Sequence, residues 1–412
     1  MFQAGLSFGG DDMKRLLAWF LALVLLGGCG SGPECWRSYG GDGSRGLSSR
    51  ERGPDKPRLA WVTDLGAKYP GVPVVDDGGN IYVPHSGGSV TKVNHQGEIQ
   101  WRFDSWVSGS GILPPWLSLL PDNKVLMSTQ GKEETFLLSS SGETLVGPEY
   151  LPWSASLSPA VTSKGYAVVC HQYVDGASAI ALRVYGIGKG GEALWKRDFA
   201  AKEQSFSASN PVVLEDGRAF VFVETETDSN FLIALGAAGD ILWQTEFPQG
   251  ETRGVALAIA ASQEGIVFFG TPRLEDILRV RSPGCLYAVG TEGQVLWRVN
   301  AGQRVEQIFL APGLVVANVL RTKLLAVNLQ GEKMWEYSLS GWESNGVMDS
   351  RGRIFMAGVL DNSIRLRAVD SRGRDVWEFD TRQRGESISY LALANGTIYL
   401  ATDTGKLLAI SK

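Results

Sequence analysis

The chain has 412 residues, 44% of them hydrophobic and 20% charged, with 51 glycines and 13 tryptophans. That balance supplies a large core, and glycine with regularly placed aromatics suits many short strands joined by tight turns. A formal net charge of −5, with Lys and Arg scattered along the chain, lacks the electrostatic footprint of a nucleic-acid binder. The four cysteines (Cys29, Cys35, Cys170, Cys285) include no Cys-x-x-Cys pair, and there are three histidines. No zinc or haem signature is present, and no metal is expected.

In chain order, Lys14-Arg15 is a short positive region, residues 16–26 are uncharged and apolar, and Gly27-Gly28-Cys29 closes the stretch. This is the order of a secretory signal peptide, and the apolar part is too short for a permanent bilayer span. Residues 1–28 are therefore expected to be removed on export, with Met13 the true initiator. Leu26-Gly27-Gly28-Cys29 resembles the bacterial lipobox. The resemblance implies cleavage before Cys29, a lipid on that cysteine and attachment to a membrane surface. Gly30, not Asp, follows Cys29, which in a host with two membranes implies the periplasmic face of the outer one.

Residues 29–57 are rich in Gly, Ser, Pro and charge and read as a lipid-anchored linker with little structure of its own. Within it, Trp36-Arg37-Ser38-Tyr39-Gly40-Gly41-Asp42 is a more specific stretch. From residue 58 to 412 the chain repeats. One unit carries Gly-x-x-x-Trp, at Gly97/Trp101, Gly191/Trp195, Gly239/Trp243, Gly293/Trp297, Gly331/Trp335 and Gly373/Trp377, with Gly142/Val146 a degenerate copy. Trp61 stands in the same context without the glycine. Eight times a turn precedes an apolar run, from Asp77-Gly78-Gly79-Asn80 before Ile81 to Asn395-Gly396 before Ile398. Such turns supply the positive φ that hairpins need, and the runs are β-branched and aromatic. Polar residues recur three places after each Trp position, as at Asp64, Asp104, Asn300 and Asp380. Equivalent positions spread around a ring, so these are expected to bond local backbone and not to converge in catalysis.

Four antiparallel strands per repeat make a propeller blade. The chain opens with an isolated Trp strand around Trp61 and ends with three strands lacking one. The expected fold is all-β: a single eight-bladed β-propeller with four-stranded antiparallel blades, monomeric, closed by pairing N- and C-terminal strands in one blade. That closure removes exposed sheet edges. Cys170 and His171 fall in an apolar strand, so Cys170 is expected in the core and not as a nucleophile.

The repeat Ala-[Val/Leu]-[Asp/Asn/Gly]-x-x-Gly-x-x-x-Trp, clearest at Ala368 to Trp377, resembles that of pyrroloquinoline-quinone (PQQ) enzymes and their non-enzymatic relatives. The resemblance implies that Trp61, Trp101, Trp195, Trp243, Trp297, Trp335 and Trp377 pack between adjacent blades. A lipobox joined to one such propeller is similar to outer-membrane assembly lipoproteins, which are scaffolds. Residues 36–42 are similar to the Trp-x-x-Tyr-Gly-x-Asp opening of the quinoprotein dehydrogenases, the competing reading. Those enzymes often carry adjacent cysteines and are longer through insertions that build a cofactor pocket. Neither feature is present, so neither PQQ nor calcium is expected.

The expectation is a non-catalytic, membrane-anchored binding or scaffold lipoprotein of the bacterial envelope with envelope proteins as partners, engaged in outer-membrane protein assembly. The alternative is a PQQ-dependent dehydrogenase-like enzyme or a small-ligand binder at the central channel. The candidate channel-lining residues are Arg253, Glu306, Glu343, Asn345 and Glu386, beside Ser-rich segments at 108–110, 154–156 and 205–207. Trp106, Trp116, Trp153 and Trp342 are candidate contact aromatics, because none occupies the repeat's Trp position. In an oxidising compartment one pair among Cys35, Cys170 and Cys285 has the chemistry to bridge.

Overall fold

Each turn-plus-apolar-run unit folds as the first hairpin of a blade. Val74–Val75 returns through a turn into Ile81–His85, and that strand is buried at every position. The structure, a computed structural model, describes residues 35–412 other than 69, 106–112, 130–134, 148–156, 176–178, 200–205, 226–228, 249–257, 272–283, 340–344 and 386. The expected signal peptide and Cys29 lie outside the described residues.

Eight antiparallel sheets follow one another around the ring, as expected. Blades 1 to 7 each use consecutive strands. In blade 4 the innermost strand is split into Phe206–Ala208 and Val212–Val213, with Pro211, which cannot donate to a ladder, at the break. Blade 8 is built from Ala392–Ala394, Thr397–Ala401, Lys406–Ser411 and, outermost, Arg58–Asp64. Trp61 faces Ala409 across that last pairing. The N- and C-terminal strands therefore close the ring in one sheet, as the repeat count required.

The Gly-x-x-x-Trp spacing has a physical cause that crosses the blade boundary. Each indole donates to a turn carbonyl of the following blade: Trp61 to His95 (3.0 Å), Trp101 to Ser140 (3.0 Å), Trp195 to Ala237 (2.8 Å), Trp243 to Thr291 (2.7 Å), Trp297 to Leu329 (2.8 Å) and Trp335 to Ser371 (2.9 Å). Two residues after each acceptor stands the motif glycine, lying on the indole face. A Cβ on Gly239 would sit 2.5 Å from the Trp195 ring, and one on Gly373 2.8 Å from Trp335. So each glycine serves the tryptophan of the blade before it, not the one four residues on. Gly191 follows the blade whose Trp position is Val146, and its added Cβ would meet only Leu137, at 3.1 Å.

Trp377 completes the series differently. Blade 8 has no turn between its third and fourth strands, because the chain's two ends meet there, and Trp377 instead donates to the Pro54 carbonyl at 3.1 Å. The polar residues after the Trp positions cap local backbone at several sites. Asp64 accepts from Gly66, Asn300 from Gly302 and Asp380 from Arg382, each at 2.8 Å. These are short Asx-type contacts within the exit loops.

The segment read as a tether departs from expectation. Trp36 is 1% exposed, and Ser38, Arg45, Leu47 and Ser49 are also buried. Residues 36–51 lie across one end of the ring and bond the last or next-to-last residue of one innermost strand after another. Trp36 and Val75 exchange two bonds at 2.8 Å. Leu119 donates to the Arg37 carbonyl, Val213 to Gly43, Ala261 to Ser44 and Leu310 to Gly46. Met348 donates to Leu47 and accepts from Ser49, and Ser350 donates to Glu51. Low apolar content hid this packing, because the bonds run between backbone groups. Glycine permits the approach: a Cβ on Gly43 would lie 2.6 Å from the Val213 carbonyl oxygen.

Candidate functional site at the channel end

The central channel is the place where a propeller gathers side chains from several blades, and here it is met by the segment 36–51. Two side chains of that segment project among the innermost strands. Tyr39 packs edge-on against Tyr390 of blade 8, with ring centroids 5.0 Å apart, and lies 5.7 Å from the Trp116 ring of blade 2. Trp116, one of the unassigned aromatics, is thus an inner-strand residue at the channel and not a rim contact. Trp106, Trp153 and Trp342 lie outside the described residues.

Arg45 is 3% exposed and its hydrogen-bond partners are carbonyls. Its Nε donates to Pro211, Nη1 to Tyr39 at 3.0 Å, and Nη2 to Ser158 and to Pro159, the latter at 3.1 Å. Pro211 and Ser158-Pro159 lead into the innermost strands of blades 4 and 3, so one guanidinium ties the segment to both. The Asn210 side chain adds a bond to the Ser158 amide at 2.9 Å. Burial lowers the Arg45 pKa to about 10, opposed by Tyr39, whose ring lies 5.6 Å from the guanidinium carbon, and by Cys170. Burial also holds the Tyr39 hydroxyl well above its usual range, with Tyr390 adding to the shift and Arg45 opposing it. Cys170 is fully buried, and burial pushes its thiol up against the lowering field of Arg45. It is a core thiol, as its strand position implied, and not an activated nucleophile.

Of the five expected channel residues, Arg253, Glu343 and Glu386 lie outside the described residues. Glu306 lines the cavity beneath Tyr39 and Arg45, with Gln307 and Asn210. Its carboxylate is held by Arg304 and, at 3.1 Å, by Arg321. Asn345 begins the innermost strand Asn345–Met348 of blade 7, opposite Ala357. So the structure brings Glu306 to the site and leaves Asn345 in a sheet ladder. Sequence reasoning missed Arg45 and Tyr390. The signal for Arg45 is its setting in Gly40-Gly41-Asp42-Gly43-Ser44-Arg45-Gly46, where four glycines bring the backbone close to its neighbours.

The cavity is small, about 10 Å³, at the lower limit of the room needed by one water. Its lining is mixed, with Leu47, Ala258, Ile259 and Ile308 beside Arg45, Asn210, Glu306 and Gln307. This cavity has no room for a fused three-ring quinone, and the segments at 106–112, 148–156, 200–205 and 249–257 that feed the innermost strands lie outside the described residues. Among the described residues no cluster of three or more His, Cys, Asp or Glu side chains is gathered as metal ligands.

Residues 182–364 match the family described as outer membrane protein assembly factor BamB. No curated protein matches the chain in sequence. Among solved structures, BamB from Moraxella catarrhalis is 12% identical with a TM-score of 0.58, covering 86% of this chain and 100% of that one. The computationally designed Ika8 protein is 14% identical (TM-score 0.60; 85% and 99% covered), and the Dos1 propeller is 9% identical (TM-score 0.62; 87% and 96% covered). The chain is thus an eight-bladed β-propeller, similar to BamB over residues 182–364 by sequence and over most of its length by fold.

Proposed function

We propose that this protein is a non-catalytic propeller of the bacterial envelope, lipid-anchored through Cys29, that binds other envelope proteins and serves in the assembly of outer-membrane proteins. One observation carries the non-catalytic part. The end of the channel where the innermost strands finish is covered by the chain's own residues 36–51, with Arg45 spent on four backbone carbonyls. A buried cation saturated in this way has little capacity left for a substrate. The working surfaces are then the outer faces, which suits a scaffold. The BamB match over residues 182–364 and the lipobox-like Leu26-Gly27-Gly28-Cys29 support the place and the task.

The test is crosslinking and co-purification of the full chain from its native membrane, with partners identified by mass. Stoichiometric recovery of an outer-membrane barrel or an assembly factor is expected. Recovery of the protein alone, together with a saturable absorbance change on titration with PQQ and calcium, would overturn the reading in favour of a quinoprotein.

A further inference from the structure

The two ends of the ring differ. In a four-stranded antiparallel blade, the turn after the first strand and the turn after the third lie at one end. The loops after the second strand, and the connections between blades, lie at the other. The segment 36–51 bonds the last residues of the innermost strands, so it occupies the first of these ends.

A second feature marks that same end. The outermost strand of each blade starts there, and in blades 2 to 7 its second residue is apolar and exposed. These residues are Leu145, Leu194, Leu242, Leu296, Met334 and Val376, 40% to 55% exposed. Each directly precedes the repeat's Trp position, so alternation turns it away from the indole's inter-blade contact. Six consecutive blades thus present one apolar side chain each, in a ring around the end that the N-terminal segment enters.

Chain length joins the two observations. Cys29 and Trp36 are seven residues apart, a stretch that spans at most about 25 Å even when fully extended. Trp36 is fixed to Val75 at this end of the ring. A lipid on Cys29 therefore cannot reach a membrane far from the entry point. We propose that the end bearing residues 36–51 and the six apolar side chains lies against the lipid surface, and that the opposite end, with the inter-blade connections, is left for protein partners. The lipid supplies the attachment, and the apolar ring sets the tilt by lying parallel to the interface. This assignment rests on the reading above that Cys29 carries lipid.

The test uses the full-length lipidated protein with Cys35→Ser, reconstituted in phosphatidylethanolamine–phosphatidylglycerol vesicles containing doxyl-labelled lipid. A bimane probe goes on one added cysteine: Leu242→Cys or Met334→Cys at the proposed lipid end, or Thr404→Cys in an exposed turn at the other end. Loss of bimane emission is expected at positions 242 and 334 and not at 404. Equal or greater loss at 404, or no loss at any position in protein whose mass includes the lipid, overturns the assignment. If the purified protein has no lipid mass, the anchoring reading fails separately. Replacing residues 29–34 with six histidines, held on nickel-chelating lipid, then reads the same three probes: loss at 242 and 334 upholds the assignment, and loss at 404 alone or at none overturns it.

Discussion

Arg45 shows how one side chain can substitute for a run of apolar contacts. Its four carbonyl partners come from three separate stretches of backbone, all withdrawn from water. Arg45→Met would leave the Pro211, Tyr39 and Ser158 carbonyls without this donor, while Pro159 keeps the Ser118 hydroxyl, at about 1–3 kcal/mol for each buried unsatisfied group. A loss of at least about 3 kcal/mol is expected in urea unfolding, with the slope unchanged. Arg45→Lys keeps the charge but not the fork, and should fall between wild type and Arg45→Met. Equal midpoints for all three would mean that the segment is held by its backbone bonds alone. His85 offers a second test, in pH. It is fully buried in blade 1, with Nε2 3.0 Å from the Thr91 hydroxyl. Burial, aided by the Arg102 charge, lowers its pKa to about 4. The unfolded chain takes up this proton near pH 6.5, so between the two values the unfolded state binds more protons. Stability should therefore fall as pH drops from about 6.5 to 4, by up to about 3 kcal/mol, and this contribution is flat above 6.5. His85→Gln should flatten that part of the stability curve. Parallel curves for the two proteins would remove His85 as the cause.

The motif glycines and tryptophans act as pairs across blade boundaries, which suggests a comparison between two glycines. Gly239 and Gly191 both have φ near +80° to +90°. Only Gly239 would drive a Cβ into an indole, at 2.5 Å, while Gly191 would meet a leucine methyl at 3.1 Å. Gly→Ala at either position bears the cost of a left-handed backbone, of order 1 kcal/mol. Gly239→Ala adds overpacking, typically a further 1–3 kcal/mol. Thermal unfolding should therefore place Gly239→Ala clearly below Gly191→Ala, and coincidence of the two would reduce the motif to a turn requirement. The spacing itself was plain in the sequence, and so were strand number, blade number and the closing pair. The partner of each glycine was not plain. A contact that skips from one repeat to the next has the same period as one inside a repeat, and a single chain of repeats does not tell them apart. Residues 36–51 were hidden for another reason: sequence patterns record side chains, and this segment is held mostly by peptide groups. Glu306, proposed from its position in the repeat, lies in the cavity beneath Tyr39 and Arg45. Its carboxylate is paired with Arg304, at the entry to the same strand, and with Arg321 in the following turn.

The closed ring and the segment across its end make one cooperative unit. Replacing residues 36–51 with a Gly/Ser stretch of equal length removes the buried Trp36 and Leu47 side chains and the Arg45 tie to blades 3 and 4, and so loosens the backbone bonds to blades 1, 2, 4, 5, 6 and 7. The expected result is a lower urea midpoint and faster proteolysis throughout the ring, not only in the substituted stretch. Loss confined to the N-terminal region would show that the blades hold without it.

Trp377 and Pro54 are 323 residues apart, and the contacts from residues 36–51 reach as far as Met348 and Ser350. What leaves the ribosome first is among the last parts of the molecule to find all its partners. Bonds of such sequence separation form slowly, and here they cannot form at all until blade 7 has been synthesised. The seven blades of consecutive strands can pair as they emerge, while the closing blade and the full set of contacts to residues 36–54 come last.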